Sequence, residues 1–378
     1  SGAVMTVRVN KQPFNIREKL SELERPVGVK GHELMRAETA QEARDLVSAG
    51  RKNMVINGDM RISQRVGTTA TTITSGGFVI DRYRCEDNTA GSTTHQQVTD
   101  APPGFHNSLK VTVTGTDTTV DAGDFHYFRH IIEGNNINHL NWGSSNAKTV
   151  TLSFWVKSSV TGNHGGSLWN NAFNRSFPFN YRINVADVWE HKSITVPGCP
   201  DGTWESGTAR GINIGFVQNV GSTYQGPPGQ WNSAGDVGPT NHVNLTATNG
   251  ATWYITGIQL EVGRNATDFE HRSYGEELAL CKRYYQKIGD TATNEITLGG
   301  YSVSGSTIYH SIQLPVEMRV VPTLTQVGSL YSVRTGQPGS LSGHRGRKGF
   351  GVSHVTTGDG NYLLASNANA YFVLDAEL

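Results

Sequence analysis

Residues 149–157 read Thr-Val-Thr-Leu-Ser-Phe-Trp-Val-Lys, so that Val150, Leu152, Phe154 and Val156 alternate with Thr151, Ser153 and Trp155. A period of two sends four large apolar side chains to one face of a strand, and that face needs a second layer to cover it. Runs of the same character recur at 54–57, 78–86, 109–114, 125–133, 180–185, 191–196, 212–219 and 253–261, separated by clusters of Gly, Pro and Asn. Charged residues make up only 17% of the chain and glycines number 44, which suits short strands joined by tight turns. The pattern predicts a mainly β protein whose body, residues 53–273, is a jelly-roll β-sandwich.

The stretch 252–287 changes period partway. Trp253, Ile255 and Ile258 belong to a strand pattern; after Asp268, Phe269 and Glu270, Ser273 is placed to cap a helix with Glu276 and Glu277 in its first turn. Leu278, Cys281, Tyr285 and Ile288 recur at helical spacing until Gly289, which predicts a connector helix over 274–289. Residues 290–378 are again strand-like, with runs at 295–298, 306–315 and 371–374, an edge continued at 319–323, and a polar, Gly-rich exposed loop at 334–351. They are expected to form a smaller C-terminal β-domain.

Residues 1–52 differ in being charged and helix-prone. Asn15 with Glu18 and Thr39 with Glu42 have capping-box spacing, placing Ile16, Leu20 and Leu23 on one short helix face and Leu46 and Val47 on another. Helices this short need a partner surface, so this region is expected to serve attachment. Met5 reads as a natural start, with Ser1 to Val4 a cloning remnant.

The 32 basic and 32 acidic residues balance, which argues against a global attraction to nucleic acid or an anionic membrane. No signal-like segment or spanning apolar run is present, so membrane insertion is not expected. Cys85, Cys199 and Cys281 lack the spacing of a zinc motif and read as buried free thiols. There is no nucleophile elbow, phosphate loop or dinucleotide fingerprint, and His32-Glu33 lacks the second histidine of a zincin. Asp201 and Glu205 around Trp204 read as turn residues ahead of a glycosidase pair. His126 and His130 share a strand face without matching a ligand set. The expectation is a non-enzyme without catalytic or transition-metal residues.

Two binding signals remain. Trp142, Trp169, Trp204, Tyr224 and Trp231 lie among Gly, Asn and Ser, where flat rings beside amides suit the apolar face and hydroxyls of a pyranose. Asn170, Asn171, Gln225 and Gln230 supply the amides; the structural alternative is that each ring plugs an end of the sandwich or an interface. The second signal is basic: Arg334, His344, Arg345, Arg347 and Lys348 gather without compensating acids, able to meet phosphate or carboxylate on a surface glycan.

The pattern Asn53-x-x-x-Asn57-Gly58-Asp59, the Asp81-Arg82-Tyr83 strand, and a closing segment through Gln259, Leu260, Glu261, Gly263, Phe269, Glu270, Arg272, Leu278, Cys281, Arg283, Tyr284 and Tyr285 resemble tail-fibre-type virion proteins of tailed bacteriophages, especially marine ones. The order of these strands around 149–157 is also similar to that of carbohydrate-binding jelly-roll modules. The resemblance implies a homotrimeric structural appendage on the virion surface that docks to other virion proteins by its N-terminus and binds host polysaccharide. It also raises a structural calcium ion, for which Asp59 or the turn holding Asp121 and Asp124 would contribute, against the commoner reading of turn-capping aspartates. The alternatives are a capsid decoration or tail-junction protein without receptor binding, and a polysaccharide depolymerase.

Overall fold

The computed structural model describes residues 36, 51–73, 75–289, 295–303 and 306–378. Two units make up the chain, Ser1–Lys52 and Asn53–Leu378. The docking residues Ile16, Leu20, Leu23, Leu46 and Val47 lie outside the described residues.

The second unit is mainly β. Its sandwich uses β1 (Tyr83–Asp87), β2 (Ser92–Val98), β3 (Ser108–Gly115), β4 (Phe125–Glu133), β5 (Val150–Ser158), β6 (Gly162–Trp169), β7 (Ser176–Ile183), β8 (Glu190–Val196), β9 (Arg210–Val220) and β12 (Thr252–Val262), with a short parallel pair, β10 (Gln225–Gly226) and β11 (Gly238–Pro239), lying between β9 and β12 in the chain. One sheet runs β1-β4-β9-β6-β7 and the other β2-β3-β12-β5-β8. All neighbours within these two sheets are antiparallel. Chain-adjacent strands thus fall in both layers, giving the jelly-roll sandwich that the alternating pattern predicts. Val150, Leu152, Phe154 and Val156 are all fully buried between the layers, facing Phe216, Phe179 and Tyr181 from the other sheet.

Several boundaries differ from expectation. Residues 54–57 are not a strand, because Asn57 turns into the left-handed region at φ 59°, although the Met54 N–H still donates to Leu260 O of β12. The run at 78–86 becomes a strand only at Tyr83, since Arg82 has φ 74°. The connector helix is shorter than its periodicity suggests: α1 spans Tyr274–Lys282, with Ser273 Oγ accepting from the Glu276 amide. Tyr285 and Ile288 belong instead to β13 (Tyr285–Ile288). The Arg82 guanidinium stacks 3.4 Å over Tyr284 and that of Arg65 3.7 Å over Tyr285, just beyond the end of the helix.

Beyond it lie β14 (Thr297–Ser302), β15 (Thr307–Gln313), β16 (Thr323–Val327), β17 (Leu330–Ser332), β18 (Pro338–Arg345), β19 (Gly349–Val355), β20 (Gly360–Ser366) and β21 (Tyr371–Asp375). These form a three-stranded sheet, β13-β21-β16, and a six-stranded one, β14-β20-β17-β18-β19-β15, around Met318, Leu330, Val352, Leu364, Phe372 and Leu374. The expected edge at 319–323 is irregular up to Thr323, where β16 begins, and the expected loop at 334–351 is largely the β18–β19 hairpin.

Candidate functional site

The loop aromatics separate into two packed groups. Trp142, Trp204 and Trp231 meet edge-on, with centroids 4.7, 5.3 and 5.6 Å apart, and Phe177 extends the cluster to the core. Their indole N–H groups all donate to backbone carbonyls, of Lys148, Asp201 and Pro197 respectively. Trp142 is buried, while Trp204 and Trp231 are half-buried. The three rings plug one corner of the sandwich, the structural alternative weighed for them.

Trp169 is not in a loop. It ends β6, is 2% exposed, and lies over Gly215 so closely that a Cβ there would meet the indole at 2.6 Å. Tyr127 and Phe173 pack against it, and half-buried Tyr224 sits edge-on to Phe125 at 5.5 Å. The neighbouring amides are also engaged internally: Asn170 Oδ1 accepts from the amides of Asn174 and Arg175, Asn171 donates to Glu205, Gln225 to Val220 O and Gln230 to Asn232. Trp142 and Trp169 therefore present no open face to a sugar. Asp201 is held in a two-pronged pair by Arg175, at 2.8 and 2.9 Å, whose hydrogen bonds lower its pKa.

Two of the carboxylates suggested for calcium have local partners. Asp59 pairs with Arg61, and Asp124 Oδ2 accepts from the Asp121 amide at 2.7 Å, which is turn capping.

The basic residues converge more productively, in a form the sequence did not suggest. Arg345 ends β18, and Arg347 and Lys348 occupy the turn into β19; Arg334 stands apart, stacked 5.1 Å from Tyr362 and donating to Asp359 O. A compensating acid is present, since Glu317 meets Arg347 at 2.9 Å and Lys348 at 3.9 Å. Arg345, Arg347 and Lys348 line an open groove of about 960 Å³ together with Tyr309, Ser311, Gln313, His344 and Val321.

Strand periodicity builds this groove. Along β15, Ile308 and His310 point inward, while Tyr309, Ser311 and Gln313 point out. Opposite them on β19 stand Ser353, Gly351 and Gly349, so nothing bulky closes the trough beside the tyrosine. Tyr309 is 65% exposed, with His344 standing perpendicular to its ring at 6.1 Å. The result is a free aromatic face, a hydroxyl, an amide and three cations against one carboxylate. Such a set can stack on a sugar ring and pair with an acidic substituent. Tyr309 lies on a strand and not among the Gly-, Asn- and Ser-rich segments that hold the other rings; its signal in the sequence is the alternation in 306–315.

No protein-family model and no curated protein matches the chain. Among solved structures, a putative sugar binding protein from Bacteroides thetaiotaomicron aligns over 56% of this chain and 100% of its own, at 12% identity and TM-score 0.31. A protein described as CBM4 aligns over 55% of this chain and 99% of its own, at 15% identity and TM-score 0.28. The enzymatically active domain of bacteriophage CBA120 tailspike protein 4 aligns over 56% of this chain at 13% identity and TM-score 0.30, and the match spans only 21% of that tailspike chain.

Proposed function

We propose that this is a non-enzymatic structural protein of a tailed-phage particle, a tail fibre or comparable appendage, that binds acidic polysaccharide on the host surface through the groove beside β15. The observation that carries the binding reading is the exposed Tyr309 ring set among Ser311, Gln313, Arg345, Arg347 and Lys348. The virion assignment, attachment through residues 1–52 and a homotrimeric state rest on the resemblance of the 53–60, 81–83 and 255–285 motifs. One stacked ring contributes on the order of 1 kcal/mol, so several copies would have to act together, as an oligomer allows.

Calorimetric titration of the purified chain with uronate-bearing and neutral oligosaccharides tests this. Tyr309→Ala should lower affinity for the acidic oligosaccharide by roughly 1 kcal/mol, about fivefold, at unchanged thermal stability. Replacing Arg345, Arg347 and Lys348 together by Gln should weaken binding most at low salt. If neither variant changes binding, or no oligosaccharide binds, the groove has no such role. The burial of Trp142 and Trp169 favours a second reading, a decoration or tail-junction protein without a receptor, and the absence of any binding would support it.

A further inference from the structure

We propose that Cys85, His95 and His126 form a buried transition-metal site, taking Zn²⁺, that ties the two layers of the sandwich together. Cys85 of β1 and His126 of β4 belong to one sheet and His95 of β2 to the other, yet one ligand atom from each lies within 4.8 Å of the rest. All three side chains are fully buried. Cys85 Sγ is 3.8 Å from His126 Nε2, a few tenths of an ångström beyond the roughly 3.5 Å edge of a tetrahedral zinc site with one sulfur and one imidazole ligand.

The hydrogen bonding leaves these groups underserved. A single hydroxyl, that of Thr93, lies 2.8 Å from His95 Nε2 and 3.2 Å from His126 Nε2, and the Nδ1 atoms of both rings have no partner. The hydroxyl can donate to one Nε2 and accept from the other, but both Nδ1 atoms stay incomplete, and buried polar atoms left incomplete are costly. Phe128 packs edge-on to both rings and gives the site an apolar wall.

One thiolate and two imidazoles select a borderline-soft ion such as zinc over calcium or magnesium. Binding would form one Zn–S and two Zn–N bonds and release the Cys85 thiol proton to solvent, with the Thr93 hydroxyl or a water completing the shell. Because the site is closed, its role is structural. No CxxC spacing announces it, and the HxxxH spacing of His126 and His130 includes only one of its ligands: these stand 10 and 31 positions apart along the chain, and strand pairing together with the stacking of the two layers assembles them.

The test uses the untagged full chain, unfolded, stripped with a chelator and refolded with Zn²⁺, with Co²⁺ or with neither. Elemental analysis after dialysis should find one zinc per chain, and the cobalt form should show a thiolate-to-cobalt charge-transfer band with ligand-field bands of tetrahedral intensity. Cys85→Ser should lose the charge-transfer band. The zinc-refolded chain should also melt higher than the metal-free one. Substoichiometric zinc, a cobalt spectrum without the sulfur band, or a sulfur band that persists in Cys85→Ser would each overturn the site. Should the variant fail to fold, metal content and the cobalt spectrum of the unmodified chain decide alone.

Discussion

The amide of Asn57 donates to Oε1 of Glu277 over 2.6 Å, joining two positions 220 residues apart. This bond is the centre of a clasp that explains why the motif segments contain the residues they do. Arg272, packed between them, donates to Val55 O, Asn53 O and Glu277, while Glu270 accepts from the Asn53 amide. Asn57 Nδ2 reaches Ile62 O and Asp81 O, bringing in the Asp81-Arg82-Tyr83 segment. Arg82 then pairs with Glu377, and Arg283 with Glu133 of β4. The opening, the entry into β1 and the closing helix of the sandwich are one polar network, so these motifs record how the fold closes.

Glu277→Ala should therefore be severe. It leaves the Asn57 amide without its acceptor and Arg272 with only Glu270, at 3.1 Å, of its two carboxylates, in a place where Glu277 is 3% exposed. We expect a loss of about 3 kcal/mol, the cost of breaking a buried pair from one side. Glu277→Gln, which retains an acceptor oxygen for the amide, should lose less. Urea denaturation of both variants checks this, and an alanine variant within 1 kcal/mol of the parent, as a rough threshold, would contradict the clasp.

Gly58 cannot carry a side chain. A Cβ at this position would lie 2.2 Å from the carbonyl oxygen of Ile258, at the bulge where Gly257 has φ +63° and the Ile258 N–H donates to Gly58 O. Because the backbone fixes the position of Cβ and the oxygen is itself backbone, no rotamer change relieves the contact. Gly58→Ala should cost several times the roughly 1 kcal/mol typical of a point substitution, read as a fall in melting temperature. Gly104→Ala is a useful comparison, since it has φ +91° but open space around it: strain without a clash.

Much of this architecture is legible in the sequence where apolar residues alternate: the 125–133 run coincides with β4, and β3, β5, β8, β9 and β12 fall within a residue or two of their runs. Two strands of the five-stranded sandwich sheets were invisible for physical reasons. The inward residues of β2, Thr93, His95 and Gln97, are polar, so its alternation carries no hydrophobic signal. β6 reads Gly-Asn-His-Gly-Gly-Ser-Leu-Trp and looks like a loop, but its glycines are demanded by packing: a Cβ at Gly166 would meet Gly215 O at 2.0 Å, and one at Gly165 would meet Pro239 at 2.3 Å. Misreading β6 is what made Trp169 look like an open platform. The glycines of the 334–351 segment misled in the same way, since Gly349 and Gly351 open a trough between strands. Capping at Ser273 was readable locally, whereas the chain beyond α1 pairs with β21 and stacks on Arg65 and Arg82, partners that local periodicity does not show.

Acid should destabilise the protein earlier than its carboxylates alone would. His130, His164 and His242 have pKa values lowered from 6.5, in each case chiefly by burial; Arg82 adds to the effect at His130 and His242 at His164. The unfolded chain takes up these protons near pH 6.5, while the folded chain does so only at lower pH. The stability conferred by the neutral rings is thus fully present above about pH 6.5 and is lost as pH falls below it, by up to about 1.4 kcal/mol per pH unit for each histidine. Urea midpoints between about pH 7.5 and 5 should fall with pH, and a His164→Gln variant should show a shallower slope. A flat profile across that window would show that these histidines are not held neutral.

The last prediction concerns the outer face of the β1-β4-β9-β6-β7 sheet. Arg84 and Arg129 stand directly opposite each other on β1 and β4, and like charges in that position repel. Glu86 resolves the conflict, with Oε1 at 3.0 Å from Arg84 and 2.5 Å from Arg129, while Ser75 donates to its other oxygen. Arg210 adds a third guanidinium, whose pKa is lowered by burial and by the fields of Arg129 and Arg84. Glu86→Gln would leave one buried and two half-buried cations without their carboxylate, and we expect a loss of about 2 to 3 kcal/mol. Because the defect is excess positive charge, sulfate should restore stability better than an equal ionic strength of chloride. Adding Arg129→Gln to Glu86→Gln should recover part of the loss, giving a coupling that a double-mutant cycle measures. Purely additive effects of the two substitutions, with no preference between the anions, would mean that Glu86 acts through packing and not through charge.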